Sequence, residues 1–137
     1  MSLYLCVFSG ETELAGLEVG AYAEFNALRQ AIAAELEGGV PGSRFPTFML
    51  HSDCDGAWPV DACARLQGEL GAIAAELRER PARPFPSDGQ RMVAAGRGIK
   101  PANACESFLD VDGEFLLGRL QGLAAVALQL RLPILFQ

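Results

Sequence analysis

Apolar residues change their period several times along the chain, and each change predicts an element. Leu3–Phe8 mixes aliphatic, aromatic and β-branched residues without a break, the signature of a buried strand. Gly10–Ala15 is a polar turn, and Gly16–Gly20 reads as a short return strand, so residues 3–20 form a hairpin. From Tyr22 the period lengthens. Tyr22, Phe25, Leu28, Ile32 and Leu36 share one helical stripe, while Glu24, Arg29 and Glu35 fall elsewhere, which predicts an amphipathic helix over Tyr22–Leu36. Gly38-Gly39 ends it, because glycine accepts the left-handed geometry of a helix C-terminus. Val40–Arg44 is then a loop with a Pro-Gly turn.

Phe45–His51 is again strand-like, with Pro46 confined to its start or edge because proline has no N–H to give a ladder. Ser52–Trp58 is a connection into a second helix, in which Pro59 suits the first position and Asp61 suits the first turn. Cys63, Leu66, Leu70, Ile73 and Leu77 repeat at spacings of 3, 4, 3 and 4, the clearest helical pattern in the chain. Prolines break Arg80–Pro86. Ser87 and Gln90 have capping-box spacing before a short helix to about Ala95, and Asn103–Glu106 has similar spacing. The last helix, Glu114–Leu130, is apolar over most of its circumference and should pack centrally, with Asp112 as its cap. Pro133 stops it, and Ile134–Phe136 reads as a terminal strand. The predicted fold is α+β with an α/β-like order: one domain, residues 1–137, holding a small mixed sheet of about four short strands with three main helices packed on it.

Composition narrows the functional classes. Half the residues are hydrophobic and 20% are charged, which is globular rather than disordered. No basic leader precedes the first strand, and no stretch reaches the roughly 20 apolar residues a bilayer span requires. The expectation is a cytoplasmic protein without a membrane partner. Its net charge of −6 is uneven. Residues 1–77 carry 11 acidic and three basic side chains, residues 78–100 two and six, and residues 101–137 four and two. An acidic bulk argues against nucleic acid, whose phosphates need a clustered basic surface. It suits a basic protein partner, although acidity of this size also serves solubility alone.

Candidate chemistry concentrates in Ser52–Trp58, which holds Asp53, Cys54, Asp55 and the single tryptophan beside the single histidine, His51. Asp53–Gly56 and Asp110–Gly113 both read Asp-x-Asp-Gly, a spacing that can share a hard cation. Neither has the ligands of an EF-hand: its first and twelfth positions would be His51 and Ala62 in one turn, Phe108 and Arg119 in the other. Tight turns account for both without a metal. The four cysteines, Cys6, Cys54, Cys63 and Cys105, form no Cys-x-x-Cys pair, so the usual zinc patterns are missing and free thiols are expected. No nucleophile elbow, P-loop or dinucleotide fingerprint occurs, and no cofactor is expected. Two readings of the corner remain. His51, Cys54 and Asp53 could assemble a small hydrolytic site. Alternatively, Trp58 ringed by Asp53 and Asp55 has the composition of an interface anchor, or simply covers the start of the second helix.

Several stretches resemble a known family. Phe48–Trp58 (Phe-Met-Leu-His-Ser-Asp-Cys-Asp-Gly-Ala-Trp), Glu106–Glu114, the terminal Leu132–Phe136 and the opening Ser2–Phe8 are similar to immunity protein family 70 of bacterial polymorphic toxin systems. That resemblance implies a non-enzymatic cytoplasmic protein that binds and neutralises a cognate toxin domain, with a basic nuclease among the candidate toxins. It brings no catalytic residues. The contact residues Asp53, Asp55 and Trp58 are an inference from the corner's composition. The hydrolase and a homodimeric scaffold stand as the alternatives.

Overall fold

A computed structural model describes residues 2–137. The hairpin forms as expected. β1 (Ser2–Ser9) and β2 (Thr12–Ala21) pair antiparallel through a turn at Gly10 and Glu11, tighter than the predicted one. Gly10 adopts φ +62°, which such a tight hairpin turn favours. Leu3, Leu5 and Val7 of β1 and Leu17 and Val19 of β2 enter the core, which lies against the helices. α1 spans Tyr22–Leu36 as predicted, burying Phe25, Leu28, Ile32 and Leu36.

Phe45–His51 is not a strand. A short helix, α2 (Pro46–Met49), replaces it, followed by a two-residue strand, β3 (Ala57–Trp58). The cause is a cap supplied from elsewhere in the chain. Glu69 lies in α3 (Val60–Arg78), and its carboxylate accepts the backbone N–H of Thr47 at 3.2 Å and of Phe48 at 2.9 Å. Those are first-turn donors that a helix leaves unpaired, and Pro46 ahead of them has none to offer. Glu37, only 5% exposed, does the same for the preceding loop: its carboxylate accepts from Gly42 at 3.1 Å and from Arg44 and Phe45 at 3.0 Å each.

α3 buries Cys63, Leu66, Leu70, Ile73 and Leu77, the predicted stripe, and packs against the last helix, α5 (Leu116–Leu130). The proline-rich segment before α4 (Asp88–Arg97) is irregular, as predicted. Its Arg80 and Arg83 both pair with Glu35 of α1, so the basic segment does pack on the acidic half of the chain. Ser87 caps α4 by accepting from Gln90 N at 3.1 Å, but the Gln90 side chain does not reach back; it accepts from Leu109 N instead. Asn103 caps a 3-10 turn over Ala104–Ser107. α5 begins two residues later than predicted. Asp110, not Asp112, organises its approach by accepting from Glu114 N at 2.9 Å.

β4 (Ile134–Phe136) closes the sheet in the order β2-β1-β4-β3. The α+β class holds, but every pairing is antiparallel rather than mixed. With Pro46–Met49 helical and no strand formed over Phe45–His51, no parallel crossover remains, and β4 occupies the free edge of β1 from the far end of the chain. No helix among the described residues is long and apolar enough to cross a membrane.

Replacing Glu37 with alanine would strand three amide donors. Glu37→Ala is expected to cost about 3 kcal/mol, measured as a lower denaturant midpoint with unchanged slope; a change below about 0.5 kcal/mol would contradict the role given to this carboxylate.

Candidate functional site

The Ser52–Trp58 corner is built from beneath by α1. Arg29 lies four residues after Phe25, so its guanidinium covers that ring at 4.4 Å from the centroid. From there Nη2 donates to the Phe48 carbonyl and Nη1 to the His51 carbonyl, both at 2.8 Å. Burial lowers the Arg29 pKa to about 10, against the opposing pull of Asp53. It therefore stays charged at neutral pH and holds the two carbonyls with charge-assisted bonds. Asn26, one turn earlier, donates from Nδ2 to Asp53 at 2.7 Å. Gly56, at φ +82°, turns the chain back, so that its carbonyl accepts from Phe136 N of β4 at 3.0 Å.

Trp58 is not a surface anchor. It is 2% exposed and belongs to the core, with Phe48 at 6.1 Å, His51 at 5.3 Å and Phe136 at 4.7 Å between ring centroids. Its indole N–H donates to the Thr47 carbonyl at 2.9 Å, the partner that a buried tryptophan requires. The reason is topological: β3 is the sheet's edge strand beside β4, and its Trp58 pairs with Ile134. Of the predicted contact residues, Asp55 is exposed and Asp53 is half-buried and tied to Asn26.

The corner does not assemble the hydrolytic group. His51 stacks on Phe136 at 4.1 Å, and its two ring nitrogens face the Ser52 carbonyl at 2.8 Å and the Ala57 carbonyl at 2.9 Å. A general base must present a free lone pair to the proton it takes, and both nitrogens are directed at backbone oxygens instead. Cys54 Sγ sits 3.5 Å from the Ser52 hydroxyl, and no hydrogen bond links it to His51. Among the described residues, no group of three or more His, Cys, Asp or Glu side chains could hold a metal ion.

Beside the corner, a groove of about 550 Å³ is lined by Asn26, Arg29, Gln30, Ala33, Pro41 and Met49. The exposed Val40 and Leu50 adjoin the lining residues Pro41 and Met49 in sequence. Sequence reasoning missed Arg29, Asn26 and Glu69, the residues that shape this face. The one available signal was the spacing of Arg29, four residues after Phe25 and so within reach of its ring.

The chain belongs to the Immunity protein 70 family, whose model matches residues 3–136, nearly its whole length. No curated protein and no solved structure matches it.

Two outcomes follow from this arrangement. Trp58→Ala is expected to destabilise the fold by about 3–5 kcal/mol, as a cavity and an unpaired Thr47 carbonyl replace the indole; a stability change under about 1 kcal/mol would show the ring to be peripheral. Thiol labelling near pH 8 should modify Cys54 rapidly and the other three only on unfolding. Cys6, Cys63 and Cys105 are buried, and burial raises each pKa, which depletes the reactive thiolate. Rapid modification of more than one thiol would contradict this.

Proposed function

We propose that this chain is the immunity half of a toxin–immunity pair. It acts as a single cytoplasmic domain that binds a cognate toxin domain and covers its active surface, with no catalysis of its own. Membership of the Immunity protein 70 family over residues 3–136 carries this reading. The placement of His51, whose two ring nitrogens face backbone carbonyls and not Cys54 or Asp53, favours it over the hydrolase. The net charge of −6 favours a partner of basic surface, a nuclease among them, because complementary fields speed encounter.

The proposed contact runs from Asp53 and Asp55 across the neighbouring groove to Leu50. Asp55 and Leu50 are exposed, and the buried Trp58 holds this surface from below instead of touching the partner. A corner fixed by Arg29 and Asn26 enters the complex with little order left to lose, which favours affinity.

The test is co-expression with the toxin encoded beside its gene. Copurification and survival of the toxin-producing cell are expected; neither binding nor rescue would overturn the proposal. For the contact itself, Asp55→Lys should slow association about tenfold at low salt, with the deficit shrinking as salt rises. Unchanged association would move the contact elsewhere on the molecule.

A further inference from the structure

We propose that the open edge of β2 receives an extended strand of the bound toxin, one that alternates apolar and basic residues; the identity of the donor rests on the function proposed above. β2 is ten residues long and stands at the end of the sheet order, with β1 as its one strand partner. Along residues 12–19, a single hydrogen bond reaches its other edge among the described residues: Val111 N donates to the Glu18 carbonyl at 3.2 Å. That bond shows Glu18 turned away from β1. Backbone groups alternate between the two sides of a strand, so Gly16, two residues earlier, is turned the same way. Its N–H and C=O meet no backbone partner there. An unpaired edge of this length is a template for another strand, and strand addition is an established mode of peptide capture.

A groove runs beside this edge. It holds about 300 Å³ between Ala15, Gly16 and Leu17 of β2 and Gly118, Gly122 and Val126 of α5. Gly118 and Gly122 are exposed, and a Cβ added at either would meet nothing within 4 Å. A strand laid along β2 would point every second side chain into this apolar space. The remaining side chains would lie on the opposite face, beside Glu13 and Glu18. Tyr4, which alternates with the core residues Leu3 and Leu5, pairs with Glu18 and donates its hydroxyl to Glu13, and so places both acids on that face.

Charge selects the occupant. β2 carries Glu13 and Glu18 and no basic residue. Pairing with a second copy would line four carboxylates along one junction, and like charges on neighbouring strands are destabilising. A basic strand would instead complement them. Arg119, which also lines the groove, is held at 3.2 Å from Asp110 and 4.0 Å from Asp112. The edge is also within reach of a partner seated on the acidic corner. Gly16, Cys6, Leu135 and Ala57 form one row across the sheet, a width of about 14 Å, well inside the ~800 Å² that a standard interface covers on each partner.

Hydrogen exchange at the Gly16 amide is the test, with the toxin encoded beside the gene as the probe. In the free protein this amide should exchange rapidly at every protein concentration, while the Leu17 amide, turned toward β1, is protected. Toxin binding should slow Gly16 by about tenfold or more. Gly122→Phe fills the groove from an exposed helical position and should weaken the complex about tenfold or more, with the thermal midpoint not lowered, since glycine is itself a poor helix former. Glu18→Lys should weaken the complex as well, and the loss should shrink as salt rises. A complex that forms while Gly16 exchanges as in the free protein would overturn this proposal and leave the proposed function standing. Protection of Gly16 without toxin would also overturn it; protection that grows with protein concentration would identify a second copy as the occupant. Absence of any toxin complex would refute the function proposed above and the donor named here together.

Discussion

The structure around the candidate site depends on one constraint: every backbone polar group that leaves water must find a partner. Residues 42–58 run between two helices with almost no ladder of their own, since α2 is a single turn and β3 has two residues. Side chains supply the missing partners. Glu37 takes the amides of Gly42, Arg44 and Phe45, and Glu69 takes those of Thr47 and Phe48. Arg29 holds the carbonyls of Phe48 and His51, Trp58 that of Thr47, and His51 faces those of Ser52 and Ala57.

This arrangement assigns the polar residues of the corner to two different tasks. The two that stand out most in sequence, His51 as a candidate base and Trp58 as a candidate interface anchor, are spent on structure: one stacks on Phe136, the other fills the space between Phe48 and Phe136. What they leave facing solvent is Asp55, the thiol of Cys54 and the apolar Leu50, on a base that α1 and α3 fix in place. On this surface His51 and Cys54 are not hydrogen-bonded to each other, and the surface offers charge, apolar area and order, the requirements of recognition. The net charge of −6 and the family to which the chain belongs point the same way.

Much of this fold was legible in the sequence because it is local. The hairpin, the Tyr22–Leu36 stripe, the 3-4 spacing from Cys63 to Leu77 and the terminal strand after Pro133 each declare themselves within one window. The failures share a cause in distance along the chain. Phe45–His51 is a short apolar run that pattern alone cannot assign to strand or helix, and the cap that decides for helix comes from Glu69 in the following element. Trp58 seemed available because it stands at a turn among acids; the rings that bury it include Phe136, at the far end of the chain. A mixed sheet was expected from strands alternating with helices; the sheet is antiparallel because Phe45–His51 forms no strand and holds the short helix Pro46–Met49 instead. The corner itself was found from its composition, whereas the roles of its residues came only from the packing.

Native-state hydrogen exchange at the amides of Arg44, Phe45, Thr47 and Phe48 tests the governing constraint most directly. If the carboxylates of Glu37 and Glu69 hold this segment, these four amides are protected to nearly the degree of those in the middle of α1, despite lying in a loop and a single helical turn. Exchange at the rate of an open loop would show that the segment is not fixed by those side chains, and that the corner it carries is not the ordered surface described above.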